Sequence, residues 1–342
     1  KIMGAFICTI SERDWETARK MGVYGNRLYK EGTNNRLKDN QILSIIRDLI
    51  SMKEGDLIFF HIRGRQTIHG IYEVSRPPFY EENRIWSDSI EIFPFRFLFK
   101  PHSRYGYLAQ YDANIEVHSL YEYIDKREIK SLVTLENERN IEARGVRRIL
   151  KEDAEILIKL LHRDFKLRKS PNKCAFSLYN PQNPKPLKNL VYRVGEIENA
   201  IKAVIMYNLS HDISFIRLLF DDEKISTPDE IDFANEFFIA QTTRKSIDIY
   251  CRSRNKHVLI EVKTDKIDAS ALRQALYYRD LIAQRSWVNP ENERIDIVLV
   301  GKRFSSDLLS EISKLNEISN GVRLMKYTPI NEGTWGQFEY VH

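Results

Sequence analysis

The residues best suited to chemistry are two acidic side chains and one lysine in the C-terminal half of the sequence. Asp248 lies in the stretch SIDIYC, and Glu261 and Lys263 lie in HVLIEVKT. Both stretches have the apolar, β-branched composition of strands. Residues two apart in a strand project from the same face, so Glu261 and Lys263 share one side. Two carboxylates and one ammonium group are therefore predicted to converge.

Such a group of side chains is suited to hydrolysing a phosphodiester. A divalent metal neutralises the phosphate and lowers the pKa of a bound water, while a nearby cation positions that water. Carboxylate oxygens favour Mg²⁺ or Mn²⁺ over zinc. The alternative is an amphipathic sheet whose charges are solvated. However, LIEV is almost entirely apolar, and a glutamate in a mostly buried strand needs a partner or a metal.

The spacing of these residues resembles the motif of the PD-(D/E)XK nuclease superfamily. There, an Asp on one strand is followed by (D/E)-x-K on the adjoining strand. Here the motif is Asp248 with Glu261-Val262-Lys263. The resemblance implies that Asp248, Glu261 and the Val262 carbonyl hold Mg²⁺ or Mn²⁺, and that Lys263 orients or activates the attacking water.

Two further helices take part in the resemblance. In RecB-like and mismatch-nuclease branches, a Gln and a Tyr four residues later face the site, which implies this role for Gln274 and Tyr278. Those branches also carry a glutamate on the first helix. Glu198, followed by Ile201 and Ile205, fits this position as a further metal ligand, with Glu196 as the second choice. The segment between that helix and Asp248, which includes DDEKISTPDEIDF, is longer than the pattern expects.

The elements that must position these residues follow the order αβββαβ. We predict a helix in GEIENAIKAVIMYNL, a strand around 236–240, the two strands above, a helix over about 269–284 and a strand in RIDIVLVGK. Basic residues near this predicted site are candidates for phosphate contacts, although such residues are most often surface charges: Lys266, Arg273, Arg279 and Arg285.

The N-terminal part shows a different pattern. IMGAFICTI predicts a strand, apolar residues at helical spacing predict a helix around 40–51, and KEGDLIFFHIRGRQTIHGIYEV predicts a β-hairpin. EIFPFRFLFK predicts a further strand. LKEDAEILIKLLHRDF predicts an amphipathic helix that closes the domain.

This part resembles the EVE and YTH branch of the PUA-like fold, through Gly55-Asp56, Phe59-Phe60 and the stretch GIYEV at 70–74. The resemblance implies an α+β barrel that receives a flipped, modified base in an aromatic pocket. Candidate base-binding residues are Trp15, Trp86, Tyr80 and Asn34, while candidates for backbone contacts around the hairpin are Arg63, Arg65, Arg76 and Arg84.

Length and composition set the outer limits. With 342 residues and 42% hydrophobic residues, two domains are expected, and we place them at 1–165 and 191–342. The basic, proline-containing segment 166–190 is predicted to be a linker. Cys8, Cys174 and Cys251 have no metal-ligand spacing, which argues against zinc and disulfides. A net charge of +5 permits nucleic acid, and the absence of a long apolar run favours a cytoplasmic protein without a membrane segment.

Together these features predict a modification-dependent DNA endonuclease acting in restriction and host defence on double-stranded DNA. Because cutting both strands needs two sites, a homodimer is expected. Two alternatives remain open: a repair nuclease for mismatched or branched DNA, and a catalytically inactive nucleic-acid-binding adaptor. An RNA substrate also remains possible, since PUA-like domains occur in RNA-binding proteins.

Overall fold

The chain forms two compact units, Lys1–Leu190 and Val191–His342. The computed structural model describes residues 2–30, 33–86, 92–132, 145–165, 173–194, 197–238, 246–289, 291–318, 321–328 and 335–341. The second unit begins at the residue where the sequence analysis placed the second domain. Within the described ranges, the helices are all too short or too polar to cross a bilayer.

The first unit is mixed α/β. Its strands are β1 Ala5–Ser11, β2 Val23–Asn26, β3 Leu57–Arg63, β4 Thr67–Tyr80, β5 Phe95–Pro101, β6 Asn114–Glu116, β7 Val146–Ile149 and β8 Lys185–Pro186. Its helices are α1 Glu12–Met21, α2 Asp39–Leu49, α3 Gly106–Gln110, α4 Tyr121–Asp125 and α5 Lys151–Phe165, with a 3₁₀ turn at Val117–Leu120. Helix α6, Lys188–Val194, follows at the division between the units.

The predicted β-hairpin and the predicted helices of this unit are present. Strands β3 and β4 pair antiparallel, and their turn contains Gly64 and Gln66 with φ of 98° and 52°. The sheet has the order β2-β5-β4-β3-β1-β7, with β6 and β8 also paired to β4. Strand β1 runs parallel to β3, with Ala5 opposite Leu57. Helix α1, which the sequence analysis did not predict, follows β1 directly.

The expectation of a closed barrel is wrong for the described residues. The end strands β2 and β7 do not pair with each other. Instead, the Tyr24 hydroxyl of β2 lies 2.7 Å from the carbonyl oxygen of Gly145, just before β7, and 3.0 Å from that of Thr9 in β1. Both end strands have four residues. The hydrogen bonds of the Tyr24 side chain lie where backbone pairing between β2 and β7 would have closed the sheet.

The curled sheet has a hydrophobic core on each face. On the inner face, Trp15, Phe60 and Tyr72 form an aromatic cluster, with 4.9 Å between the ring centroids of Trp15 and Phe60. On the other face, α5 packs Leu157 and Leu161 in one cluster with Phe59, Ile68 and Ile71. These two cores hold the strands of the sheet in place. The cavity described below lies at the ends of these strands.

Residues 173–190 of the predicted linker are part of the first unit, and residues 166–172 lie outside the described ranges. Backbone N–H groups of Ser177 and Tyr179 donate to carbonyls at the end of α1, at 2.6 and 2.8 Å. The Tyr179 hydroxyl donates to Glu81 at 2.8 Å, and Glu81 also accepts from the buried Arg96 at 2.7 Å. The segment docks through these polar contacts, through the short pairing of β8 with β4 and through the buried Leu187, and none of these requires apolar periodicity in the sequence.

The second unit follows the predicted order with additions. Its helices are α7 Glu198–His211, α8 Ile213–Phe220, α9 Ala269–Ala283 and α10 Ser306–Ile318. Its strands are β9 Asp232–Phe238, β10 Ser246–Ser253, β11 Lys256–Val262, β12 Lys266–Ile267, β13 Arg294–Gly301, β14 Arg303–Phe304, β15 Val322–Tyr327 and β16 Phe338–Tyr340, and a 3₁₀ turn spans Pro228–Glu230.

The central sheet of this unit has the order β16-β15-β13-β11-β10-β9. Strand β11 pairs antiparallel with β10 and parallel with β13. The elements α7, β9, β10, β11, α9 and β13 correspond to the predicted αβββαβ series. Helices α8 and α10 and strands β15 and β16 were not predicted. The predicted strand at 236–240 begins earlier, at Asp232, and residues 239–240 lie outside the described ranges.

Candidate functional site

Strands β10 and β11 bring the predicted carboxylates together. Ile249 pairs with Ile260, so one step further along the antiparallel register Asp248 lies opposite Glu261. The backbone N–H of Val262 donates to Oδ2 of Asp248 at 2.9 Å. Lys263 follows at the end of β11, where its N–H donates to the carbonyl of Val300. The sheet therefore positions Asp248, Glu261 and Lys263 as one group.

Glu261 is the most unusual member of this group. It is 4% exposed, and its Oε1 has no hydrogen-bond partner among the described residues. Burial, and after it the charge of Asp248, raises the pKa of Glu261 to about 8, although Lys263 and Lys202 act in the opposite direction. Burial therefore favours the neutral form of this side chain unless a cation joins it.

Sequence reasoning missed Lys202 on α7. Its ammonium group lies 2.6 Å from Oδ1 of Asp248 and 2.6 Å from Oε1 of Glu198. Burial alone would lower the pKa of Lys202, but Asp248 and Glu198 together raise it above the usual value. The available signal was position, because residues four apart on a helix share a face and Lys202 follows Glu198 by four.

Glu198 reaches the group only through Lys202. Its side chain is 38% exposed and pairs with Lys202 in the same way as Asp248 does. Glu196, the second choice for this role, lies outside the described residues. The structure thus places Glu198 beside the predicted site, with an ammonium group between it and Asp248.

Helix α9 contributes the predicted Gln274 and Tyr278. The Gln274 amide donates to the Tyr278 hydroxyl at 2.6 Å. Tyr278 is buried, and its pKa is raised by burial first and by the charges of Glu261 and Asp248 as well. Tyr278 is therefore close enough to Glu261 and Asp248 for their charges to act on it.

The donor set fits a hard divalent cation with few protein ligands. Among the described residues, no three His, Cys, Asp or Glu side chains lie close enough together to hold a metal. The available donors are Asp248, Glu261 and the Val262 carbonyl. The unpaired buried oxygen of Glu261 is where a cation would be accommodated. Mg²⁺ keeps several waters and is usually bound through one or two protein carboxylates, which is the number that Asp248 and Glu261 would supply.

The predicted basic residues around this site have varied surroundings. Arg273 is exposed and pairs with Glu311 at 2.9 Å. Lys266 is exposed, while Arg279 and Arg285 are half-buried.

The first unit contains a cavity of about 240 Å³ near the gap between its end strands. Trp86 lies in its wall, packs on Phe93 with 5.1 Å between ring centroids, and donates from Nε1 to the Asp14 carbonyl. The wall also contains Asn26, whose Oδ1 is buried and has no hydrogen-bond partner among the described residues. The cavity therefore combines an aromatic wall with an unused acceptor.

The other predicted base-binding residues lie elsewhere. Trp15 is 0% exposed and belongs to the aromatic core, because α1 turns its apolar face to the sheet. The Tyr80 hydroxyl donates to Glu82, and its ring packs on Phe95. Asn34 is exposed. None of the three lines the cavity.

Of the four hairpin arginines, Arg63 lines the cavity. Arg65 pairs with Glu12 at 2.7 Å, and Arg76 lies over the Phe79 ring. Arg84 is exposed. The basic side of the cavity is extended by residues that were not predicted, Arg27 and Lys30.

Comparison with known protein families finds no match, and comparison with curated proteins finds none. Among solved structures, the chain is similar to human THYN1 protein in complex with 5-methylcytosine containing DNA, at 11% identity over 46% of this chain and 97% of that chain, with a TM-score of 0.26. It is also similar to the YTH domain of Zygosaccharomyces rouxii MRB1 protein in complex with N6-methyladenosine RNA, at 16% identity over 46% and 86%, with a TM-score of 0.26.

Proposed function

We propose that this chain is a Mg²⁺-dependent endonuclease for modified DNA. The observation that carries the proposal is the buried carboxylate of Glu261, which has an unpartnered oxygen and lies opposite Asp248 at the end of β11 beside Lys263. A buried, unpaired acid is unfavourable unless it binds a proton or a cation. The motif resemblance supports the choice of a metal.

The residues divide the work of phosphodiester hydrolysis. Asp248, Glu261 and the Val262 carbonyl would hold Mg²⁺ or Mn²⁺, which supplies a nucleophilic water and neutralises phosphate charge. Lys263 orients that water through its ammonium group. On α9, Tyr278 accepts a hydrogen bond from the Gln274 amide at 2.6 Å, and both residues would support the site from that helix.

The first unit supplies recognition in this proposal. A flipped base is read by stacking on an aromatic ring and by hydrogen bonds to its edge. The cavity offers Trp86 for stacking and the Asn26 carbonyl oxygen as an acceptor for an amino group. Arg63, Arg27 and Lys30 around it suit the adjacent phosphates.

The proposal is tested by cleavage of matched duplexes with Mg²⁺ or Mn²⁺. The substrates are unmodified, methylated at cytosine C5 or methylated at adenine N6, with mismatched, branched and RNA substrates alongside. We expect preferential cutting of a modified duplex. Lys263→Ala should slow it about 100-fold or more, whereas Lys224→Ala, which changes an exposed lysine of the second unit that has no role in the proposal, should leave the rate within about threefold.

Other outcomes would redirect the assignment. Preferential cutting of mismatched or branched duplexes would favour a repair nuclease. Binding without cleavage of any substrate would leave a nucleic-acid-binding adaptor. A homodimer is part of the proposal, because two cuts need two sites. Analytical ultracentrifugation of the protein bound to DNA measures this oligomeric state.

A further inference from the structure

We infer that the ammonium group of Lys202 pairs with Asp248 in competition with the divalent ion. By pairing with Glu198 as well, it also keeps that carboxylate from coordinating the metal. The inference rests on the proposed function, since it concerns the same site. It assigns a role to a residue outside the motif and removes the predicted ligand role of Glu198.

The geometry places one ammonium between two carboxylates. The Nζ of Lys202 lies 2.6 Å from Asp248 Oδ1 and 2.6 Å from Glu198 Oε1. Lys202 is 5% exposed and the Asp248 side chain is 14% exposed, so water screens this pair less than it screens a surface pair, whereas Glu198 at 38% exposure remains in contact with water. The negative charge that would attract a metal is therefore already partly neutralised.

A metal bound to Asp248 would have to share its carboxylate oxygens with two hydrogen-bond donors. Its Oδ2 accepts from the Val262 N–H at 2.9 Å, and its Oδ1 accepts from Lys202. Each carboxylate oxygen can accept a second interaction, so a cation can still bind, but it binds close to a positive charge. Removal of the ammonium would leave Asp248 oriented by Val262 and would free Glu198.

The experiment is a calorimetric titration of the full-length chain with Mn²⁺ in the absence of nucleic acid. We expect Lys202→Met to bind Mn²⁺ about tenfold more tightly or better, because a unit positive charge beside the ligand is lost. Lys202→Arg should stay close to wild type. The matched control is Lys256→Met. Lys256 lies on the same strand as Glu261, and its ammonium group pairs with Asp296 at 3.1 Å. This substitution should change the affinity for Mn²⁺ less than about threefold.

Unchanged or weaker binding by Lys202→Met would overturn the inference, and so would a tenfold loss of affinity in Glu198→Gln that matches the loss in Asp248→Asn. If Mn²⁺ binds wild type and Asp248→Asn equally, the metal is elsewhere and the proposed function itself fails. Should Lys202→Met be unstable without metal, thermal unfolding decides: Mn²⁺ must raise its midpoint more than that of wild type, and an equal or smaller rise counts against the inference.

Discussion

At the scale of single residues, Glu261 and Asn26 share one property. Each places a buried oxygen atom without a hydrogen-bond partner among the described residues at a site predicted to bind a ligand. An unpaired buried polar atom costs about 1–3 kcal/mol. In both units, therefore, a ligand that pairs with the buried oxygen would remove this cost, which the unliganded protein still carries.

The raised pKa of Glu261 predicts how stability depends on pH in metal-free protein. Its pKa rises from 4.5 to about 8 on folding, so the folded state binds the extra proton between these values. The associated stability is complete below pH 4.5 and is lost as the pH rises through about 8. We expect the free energy of unfolding to fall with pH in this window, by at most about 1.4 kcal/mol per unit.

Denaturant unfolding followed by circular dichroism measures this dependence. Glu261→Gln should flatten it and should be more stable than wild type at pH 8. The matched control is Glu230→Gln, since hydrogen bonds from Ser226 lower the pKa of Glu230 to about 2, outside the window. An unchanged slope in Glu261→Gln would contradict the prediction.

At the scale of elements, the gap between β2 and β7 depends on Gly145. A Cβ there would lie 2.7 Å from the Tyr24 hydroxyl and closer still to the Asn26 amide. Both neighbours belong to the cavity wall. The missing side chain thus allows the sheet to curl and leaves the cavity open.

Gly145→Ala should therefore destabilise the first unit by about 1–3 kcal/mol through overpacking. Thermal and denaturant unfolding would measure the loss. Gly321→Ala is the control, because a Cβ at that position meets nothing closer than 3.8 Å, and it should stay within about 0.5 kcal/mol of wild type. Equal stability of the two variants would show that the junction tolerates a side chain.

Elements with strong periodicity could be predicted from sequence, and the remaining ones could not for identifiable reasons. β10, β11 and α9 have clear apolar patterns, so the order of the second unit and the cluster of Asp248, Glu261 and Tyr278 followed. Helix α1, ERDWETARKM, has few apolar residues. The role of Lys202 depends on which strand α7 packs against, a tertiary fact that no local pattern contains.

Residue type alone did not indicate which tryptophan lies in the core and which lines the cavity. Trp15 and Trp86 are equally plausible cage residues by type, yet one fills the core and the other lines the cavity. Tryptophan supplies apolar area in either place. The difference arises from the direction in which α1 and the segment after β4 present their side chains, which depends on the assembled sheet.

At the scale of the whole molecule, the chain has two compact units, so the proposed base recognition and the proposed hydrolysis should be separable by mutation. Asn26→Ala should weaken binding to a modified duplex about tenfold, the value of one lost hydrogen bond. The rate on unmodified DNA should not change, so the preference for modified DNA falls. Cleavage of paired substrates in one reaction gives this ratio directly.

The control for this prediction is Asn34→Ala, which removes an exposed amide that does not line the cavity. It should preserve the preference. If Asn34→Ala lost the preference while Asn26→Ala kept it, the base would be read outside the cavity, and the recognition surface would have to be sought near the loop that contains Asn34.

The docking of residues 173–190 determines where the polypeptide can be divided for separate expression. A fragment that stopped at Phe165, the end of α5, would lack Tyr179 and the Gln182 N–H, both of which donate to Glu81. The pair of Glu81 and Arg96 would then face solvent on one side. A fragment limited to the first unit should therefore run through Leu190, so that the hydrogen bonds from Tyr179 and Gln182 to Glu81 stay intact.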